Sequence, residues 1–326
     1  MPIIVAILAV PGCVGASVHG PADLFATANS IAHKMGRRDK QFETRILSLD
    51  AQQIFTSSGH LIVADGPMEA AIEADVVIVP GIGIASAEEI STILLDLKPV
   101  AMLLQACFDN GAIIAASCTG SFLVAESGLL HEKQATTTWW LEESFRERFD
   151  TVDLKADQIL VDDDRVITSA AGSSYLDMAL HLIQRFSGQS LARLCARYMV
   201  VDGGRKSQRA FAIPTHFKRR DELIERADAQ IRIHEPGMIG VEKLAGQLGV
   251  SPRTLNRRIG RHLNMTSQTF IRQIKLDQAK TLLETTHDSI ASIGAEIGYD
   301  DENAFRRSFT TYVGLSPTQY RANYKS

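Results

Sequence analysis

Between residues 241 and 321 the chain repeats one pattern: an apolar helical stripe, a glycine, then a capped helix rich in arginine. The first copy runs Val241-Glu242-Lys243-Leu244-Ala245, Leu248-Gly249-Val250 and Ser251-Pro252-Arg253-Thr254-Leu255-Asn256-Arg257-Arg258-Ile259. The second runs Ser289-Ile290-Ala291-Ser292-Ile293, Ile297-Gly298-Tyr299 and Asp301-Glu302-Asn303-Ala304-Phe305-Arg306-Arg307-Ser308-Phe309. Two helices joined by a tight turn bury one stripe each and leave the far face of the second helix in solvent. A helix presented in this way fits the major groove of DNA, where each base pair shows its own set of donors and acceptors. The tail is therefore restricted to an all-α unit with two helix-turn-helix motifs.

The side chains sort by spacing. In the first copy Val241, Leu244, Ala245 and Leu248 form the buried stripe, Gly249 suits the turn, and Ser251 caps a helix whose first residue is Pro252. Leu255 and Ile259 point inward, which leaves Arg253, Thr254, Asn256 and Arg257 on the open face. Arginine reads guanine and asparagine reads adenine with two bonds each. Arg258 and Arg261 are placed to clamp phosphates. In the second copy Ile290, Ile293 and Ile297 pack inward, Gly298 turns, Asp300 or Asp301 caps, and Phe305 and Phe309 anchor the last helix. Glu302, Asn303, Arg306 and Arg307 face outward. A longer helix over roughly Ser267–Glu284 carries Phe270, Ile274, Leu276, Ala279, Leu282 and Leu283, an apolar face suited to holding both copies at a fixed separation. The competing reading is a plain bundle with solvated arginines, and it leaves the duplication unexplained.

On these residues the tail resembles the DNA-binding domain of AraC-type regulators. The resemblance is carried by Ala279, Leu282-Leu283, Ile290, Ile293, Gly298-Tyr299, Asp301, Phe305, Arg307, Phe309 and Gly314-Leu315-Ser316-Pro317-Thr318-Gln319-Tyr320-Arg321. It implies two recognition helices entering adjacent major-groove segments on one face of DNA, about 34 Å apart. Gly294 departs from the family's usual alanine and lowers helix propensity by up to about 1 kcal/mol.

The chain has 326 residues and a net charge of −4, unevenly divided. Residues 1–215 hold 17 basic and 25 acidic side chains, and residues 216–326 hold 17 and 13. Only the tail is suited to a polyanion. Cys13, Cys107, Cys118 and Cys195 stand far apart, so neither a disulfide framework nor a zinc finger is expected, and a reducing cytoplasm fits. The apolar run Ile3–Val10 is too short to span a membrane and lacks a signal-peptide pattern, so it reads as a buried first strand. No membrane partner is expected.

Residues 1–200 alternate apolar strands with helical patterns. Strands are expected at Ile3–Val10, Thr44–Leu49, Asp75–Val79, Ala112–Ala116, Gln158–Val161 and Arg165–Ser169. Helices are expected at Ala22–His33, Ser86–Leu95, Ala101–Asp109, after Gly120, and at Tyr175–Phe186. Strands apolar on both faces, alternating with helices, indicate an α/β fold with a doubly wound, mainly parallel sheet. The polar stretch Asp202-Gly203-Gly204-Arg205-Lys206 marks a boundary. The expected division is 1–204, a linker over 205–220, and 221–326.

Cys118 lies between an apolar strand and a helix starting near Thr119-Gly120, where the helix dipole favours a thiolate. Pro80-Gly81-Ile82-Gly83 follows another strand, and ligands in such sheets bind at strand carboxyl ends. This region resembles the PfpI/ThiJ group, which is flavodoxin-like in fold and related to class I glutamine amidotransferases. The resemblance rests on Val79-Pro80-Gly81, Ala116-Ser117-Cys118-Thr119-Gly120, Leu123, Ala125, Gly128-Leu129-Leu130, Ala135-Thr136-Thr137 and Asp177. Joined to the tail, it is similar to the amidase-like, GlxA-type branch of AraC regulators. Catalytic members often place histidine after the cysteine and glutamate in the first strand–helix loop, with a further histidine after the paired threonines. Here those positions hold Thr119, Ser17 and Thr138. A nucleophile needs a base or a thiolate-stabilising partner, and His19, read as a loop residue, is a substitute nearby in sequence.

The resemblance thus implies a degenerate elbow and a small-metabolite site lined by Ser17, His19, Gly81, Gly83, Cys118, Thr119, Thr138 and Trp139. A Trp139 ring suits a quaternary ammonium or guanidinium group, and the family association is with amino acids and betaine-like or carnitine-like compounds. The alternative for Trp139-Trp140 is a core or dimer contact. Asp162-Asp163-Asp164 is read as a hairpin turn, so neither metal nor cofactor is expected. The resemblance implies a dimeric cytoplasmic regulator, more often an activator, with double-stranded promoter DNA, an effector and RNA polymerase as partners. The rival readings are a cysteine-dependent amidase or glyoxalase-like enzyme, or a Cys118 redox sensor, fused to a DNA-binding domain.

Overall fold

A computed structural model describes residues 1–37, 41–84, 87–201, 205, 207–208, 211, 222–233, 237–263 and 265–324. The chain forms two compact units, Met1–Gln208 and Arg209–Ser326. Arg205, Ser207 and Gln208, assigned to the linker from sequence, are fastened to the first unit.

In the first unit the strands are β1 (Ile3–Leu8), β2 (Phe42–Ser48), β3 (Ile54–Phe55), β4 (Leu61–Ile62), β5 (Gly66–Pro67), β6 (Val76–Val79), β7 (Ile113–Ser117), β8 (Gln134–Ala135), β9 (Asp153–Leu154), β10 (Leu160–Asp163) and β11 (Val166–Ser169). Seven of them form one sheet in the order β10-β11-β7-β6-β1-β2-β5. Its pairs are parallel except for the β10–β11 hairpin. Asp164, at φ 63°, lies in that hairpin's turn, whereas Asp162 and Asp163, expected in the turn, pair with Ile167 and Val166 as the end of β10. Every residue of β6 and β7 is buried, as runs apolar on both faces require.

The helices of this unit are α1 (Gly15–Lys34), α2 (Ala87–Asp96), α3 (Lys98–Asp109), α4 (Gly120–Glu126), α5 (Glu142–Arg148), α6 (Ser174–Ser187) and α7 (Gln189–Tyr198). Helices α1, α6 and α7 pack together as one layer, and α2, α3 and α4 as another. The strand order reverses between β1 and β6, and at such a switch point the loops leaving the strands part to form a crevice.

Several elements differ from the sequence reading, among them short strands and α5, which had no sequence expectation, and two helices that bear on the site. Helix α1 begins at Gly15, well before the expected start, and Pro21 lies inside it. Proline there withholds one hydrogen bond from the carbonyl of residue 17, while Ser17, Val18, Leu24 and Phe25 bury the face that offsets it. Gly20 is no breaker: a Cβ on it would lie 2.3 Å from a Tyr175 ring carbon, so glycine lets α1 approach α6. Helix α7 had no sequence expectation. It follows directly on α6 through Gly188 at φ 89° and buries Leu191, Ala192 and Cys195.

The second unit contains α8 (Glu222–Ile233), α9 (Val241–Gln247), α10 (Pro252–Leu263), α11 (Ser267–Thr285), α12 (Ile290–Glu296), α13 (Glu302–Val313) and α14 (Pro317–Tyr324). Each helix-turn-helix has its own core. Leu244, Ala245, Leu248, Leu255 and Ile259 gather against Phe270, Ile271 and Ile274 of α11. Ile293, Ile297, Phe305 and Phe309 gather against Leu276, Ala279 and Leu283 of the same helix. Helix α11 is therefore a rod common to both, about 28 Å long at 1.5 Å per residue. The turn glycines Gly249 and Gly298 adopt φ 72° and 98° as the spacing requires. Asp301 caps α13 by accepting from the N–H groups of Asn303 (3.2 Å) and Ala304 (2.9 Å).

The departure at Gly294 has a packing reason. A Cβ there would sit 3.1–3.3 Å from three atoms of Phe305, which is fully buried against Tyr299 and Phe309. Polar groups are also buried beside the rod. Asp277 of α11 is 8% exposed, lies 3.5 Å from Lys280 Nζ, and accepts from the Tyr312 hydroxyl at 3.3 Å. Desolvation outweighs Lys280, Arg232 and Tyr312, and raises its carboxyl from 3.8 to about 6. An acid whose folded pKa is raised contributes stability that is full below its unfolded value and is lost as pH rises through the folded one.

Two predictions follow from this packing. Gly294→Ala gains helix propensity but crowds Phe305, and we expect a net loss of about 1 kcal/mol; a thermal melt with a higher Tm than the parent would contradict this. Asp277→Asn is expected to stabilise the second unit at pH 7.5 by on the order of 2 kcal/mol, with the advantage vanishing near pH 4. Urea titrations at the two pH values check it, and an equal effect at both pH values would reject the assignment.

Candidate functional site

Three loops meet at the switch point. The loop after β1 and the loop after β6 are zipped together: Val14 N donates to Gly81 O (2.7 Å) and Gly83 N to Gly12 O (2.9 Å). Ser17, at the start of α1, accepts from Gly81 N (3.0 Å) through Oγ and donates to Val14 O (2.7 Å). Thr119, after β7, uses Oγ1 in both directions, accepting from Ile82 N at 2.6 Å and donating to Ile82 O at 2.7 Å. Gly120 completes the closure, because a Cβ there would lie 2.5 Å from Pro80 O and 2.8 Å from Val79 O.

Cys118 sits in the middle at φ 54°, a left-handed conformation that costs a non-glycine residue roughly 1–2 kcal/mol. Its N–H is held by Ser169 O (2.9 Å) and Ala170 O (3.0 Å). The thiol is buried, and desolvation pushes it above its ordinary value. The backbone N–H groups of Thr119 and Gly172 and the hydroxyls of Thr138 and Thr119 oppose this without overcoming it. The expected thiolate is therefore corrected. Desolvation by burial is the largest influence on the thiol, and helix α4, which starts at Gly120, has only seven residues. The hydroxyls of Thr138 and Ser117 are buried with no oxygen or nitrogen partner among the described residues.

The other expected lining residues divide. Trp139 is 9% exposed, packs edge-on against Trp140 at 5.2 Å, and adjoins Thr138. Gly83 is at the exposed rim, with Ser57 so close that a Cβ would lie 2.4 Å from it. His19 is exposed on α1 rather than in a loop, and makes no hydrogen bond or ion pair among the described residues. Sequence reasoning missed Ser121, whose hydroxyl bonds Thr137 Oγ1 (2.7 Å) and Cys118 O (2.8 Å). It also missed Gln208, whose amide donates to Thr137 O (2.8 Å). A lone glutamine in a polar stretch carries no signal of burial. A cavity of about 320 Å³ lies in the second unit between α9 and α11, lined by Met238, Glu242, Gln268 and Arg272, and touches none of the elbow residues.

In the second unit Ser251 caps α10, accepting from Thr254 N at 3.1 Å. Arg253, Asn256, Arg257, Arg258 and Arg261 are exposed, and Thr254 is half-buried. Asn256 needs revision as a base reader, because its Oδ1 accepts from Ser267 N (3.0 Å) at the start of α11. Bidentate contact with adenine needs both that oxygen and the amide nitrogen. On α13 Asn303 and Arg307 are exposed. Arg306 is instead paired with Glu302, Nε to Oε1 at 2.7 Å, and reaches Thr318 Oγ1 at 3.3 Å.

Residues 5–185 match the DJ-1/PfpI family and residues 244–323 match a helix-turn-helix domain. The chain belongs to the DJ-1/PfpI family, and its second unit is an AraC-type helix-turn-helix domain. Among its relatives, the HTH-type transcriptional regulator CdhR of Pseudomonas aeruginosa is 26% identical over 86% of this chain and 82% of its own. The HTH-type transcriptional regulator GbdR of the same species is 27% identical over 84% and 73%. Two solved structures share the fold of the first unit. A THiJ/PfpI family protein from Pseudomonas syringae has a TM-score of 0.51, 19% identity, and coverage of 62% of this chain and 76% of that one. Drosophila melanogaster DJ-1beta has a TM-score of 0.51, 19% identity, and coverage of 62% and 100%. In this DJ-1/PfpI chain hydroxyls tie the elbow shut.

A buried neutral thiol resists alkylation. At pH 8 Cys118 is expected to react with iodoacetamide at least about tenfold more slowly than free cysteine, measured by peptide mass spectrometry. Labelling as fast as free cysteine would overturn the closed, protonated elbow.

Proposed function

We propose that the chain is a DNA-binding transcription regulator whose first unit senses a small metabolite at the Cys118 elbow. The observation that carries the reading is the pair of arginine-bearing helices, α10 and α13, packed on one rod, with Arg253, Arg257 and Arg307 exposed. The named relatives, transcriptional regulators aligned over most of both chains, support it. Arg253 and Arg257 on α10, and Asn303 and Arg307 on α13, are the base-edge candidates. Arg258 and Arg261 meet phosphates, Asn256 fixes the recognition helix to α11, and Glu302 with Thr318 orients Arg306.

The elbow binds rather than catalyses. A nucleophilic cysteine needs a base, and the positions that would supply one hold Ser17 and Thr119, whose hydroxyls are already engaged by backbone, and Thr138. The raised thiol counts against the amidase and redox-sensor alternatives alike. The effector we favour is a nitrogenous metabolite, an amino acid or quaternary amine, seated beside Cys118, Thr138 and Trp139. We further propose a homodimeric activator that works with RNA polymerase in the cytoplasm. Among the described residues no single helix is long and apolar enough to cross a membrane.

Fluorescence anisotropy with the DNA upstream of its own gene tests the assignment. Arg257→Ala and Arg307→Ala should each cost about 1–3 kcal/mol against the preferred sequence. Arg261→Ala should lower the slope of log affinity on log salt by about 1. Binding unchanged by all three substitutions would mean the wrong helices have been assigned.

A further inference from the structure

The chain leaving the first unit for the second is fastened beside the elbow. Gln208 is 2% exposed. Its Nε2 donates to Thr137 O (2.8 Å) and Ala156 O (2.6 Å), its Oε1 accepts from Ala171 N (3.3 Å), and its own N–H donates to Asp157 O (2.9 Å). Ser207 forms an antiparallel bridge with Gln158. Arg205 pairs with Asp177 and donates to Ser173 Oγ at 3.0 Å. Residues 205, 207 and 208 thus lie as a strap over the loops that follow β8, β9 and β11.

Those two loops are the ones that face the Cys118 sulfur. Thr138, whose buried hydroxyl is directed at the sulfur, follows Thr137, and Gly172, whose N–H is directed at the sulfur, follows Ala171. The Gln208 amide bridges them. Its bonds share one buried side chain, and a half-broken set would leave carbonyls without water or partner. The strap is therefore either gripped or released, with little in between.

We propose that Gln208 is the clasp through which occupancy of the elbow reaches the chain that joins the two units. A ligand that enters beside Cys118 and Thr138 displaces the Thr137 or the Ala171 loop, withdraws that loop's bond to the Gln208 amide, and loosens the strap formed by residues 205, 207 and 208. Release adds four residues to the joining chain, up to about 14 Å of reach, and changes which placements of the DNA-binding unit are accessible. Ligand binding and strap release are then linked reciprocally. The mechanism rests on the elbow being the effector site, but the clasp itself is testable with no effector.

The test uses the full chain, with Gln208→Ala and with Gln208→Met, which keeps the bulk and removes the hydrogen bonds. Arg205→Ala loosens the strap at its other end and serves if either Gln208 variant fails to fold. Hydrogen exchange read by mass spectrometry should show the Gln208 amide exchanging at least about tenfold faster in the variants. Anisotropy on the upstream DNA, with no metabolite added, should show the half-saturation point moved by about fivefold or more. Unchanged exchange overturns the clasp, and so does faster exchange with DNA affinity within about twofold of the parent. A metabolite that protects Cys118 from alkylation while leaving exchange at 205–208 untouched would overturn the clasp and leave the elbow reading standing. Shifted variants together with a metabolite that binds elsewhere would do the reverse.

Discussion

Everything the second unit can do depends on α11 belonging to two cores at once. Phe270, Ile271 and Ile274 complete one helix-turn-helix, and Leu276, Ala279 and Leu283 complete the other. Each motif takes part of its buried core from the rod. Packed interiors tolerate little sliding, which fixes α10 and α13 relative to one another. The polar ties act in the same direction. Asn256 joins the first recognition helix to the start of α11, Asp277 and Tyr312 join the rod to the second, and Gly237 N joins the segment before α9 to Glu296 O at 2.9 Å.

The elements easiest to read from sequence are those in which one local rule decides the outcome. Ser251 and Asp301 end up as caps because their short side-chain oxygens accept from free N–H groups there, and Pro252 takes the first helical position because it has no N–H to leave unsatisfied. Gly249 and Gly298 turn with positive φ because side chains resist it. The strands Val76–Val79 and Ile113–Ser117, apolar but for Ser117, lie central in the sheet for the same kind of reason. Reading failed where the deciding partner lay far away in the chain. Gly20 and Pro21 look like a boundary, yet Gly20 exists to admit Tyr175. Gly294 looks like a weak helix residue until Phe305 is in place. Asn256 looks free to read a base until Ser267 N is brought beside it.

The elbow shows the same division. The left-handed conformation of its cysteine comes from the structure, while the elbow's location is written in the strand–Cys–helix pattern. The consequence for the thiol is not, because charge state depends on how much water the fold removes. Sequence favours a thiolate through the helix dipole, whereas burial, which raises the thiol, is a property of the closed loops. Ser17 and Thr119 explain the closure: each hydroxyl satisfies backbone groups of the loop after β6. At these positions stand hydroxyls that hold loops together, and Gln208 extends that network into the chain leading to the second unit.

Hydroxyl-radical footprinting of the full chain on its own upstream DNA tests the central claim most directly. A rigid pair of recognition helices predicts two protected segments on one face of the duplex, separated by about one helical turn of 10–10.5 base pairs, both weakening together as salt is raised. A single protected segment, or two on opposite faces, would contradict an account built on one rod shared by two cores.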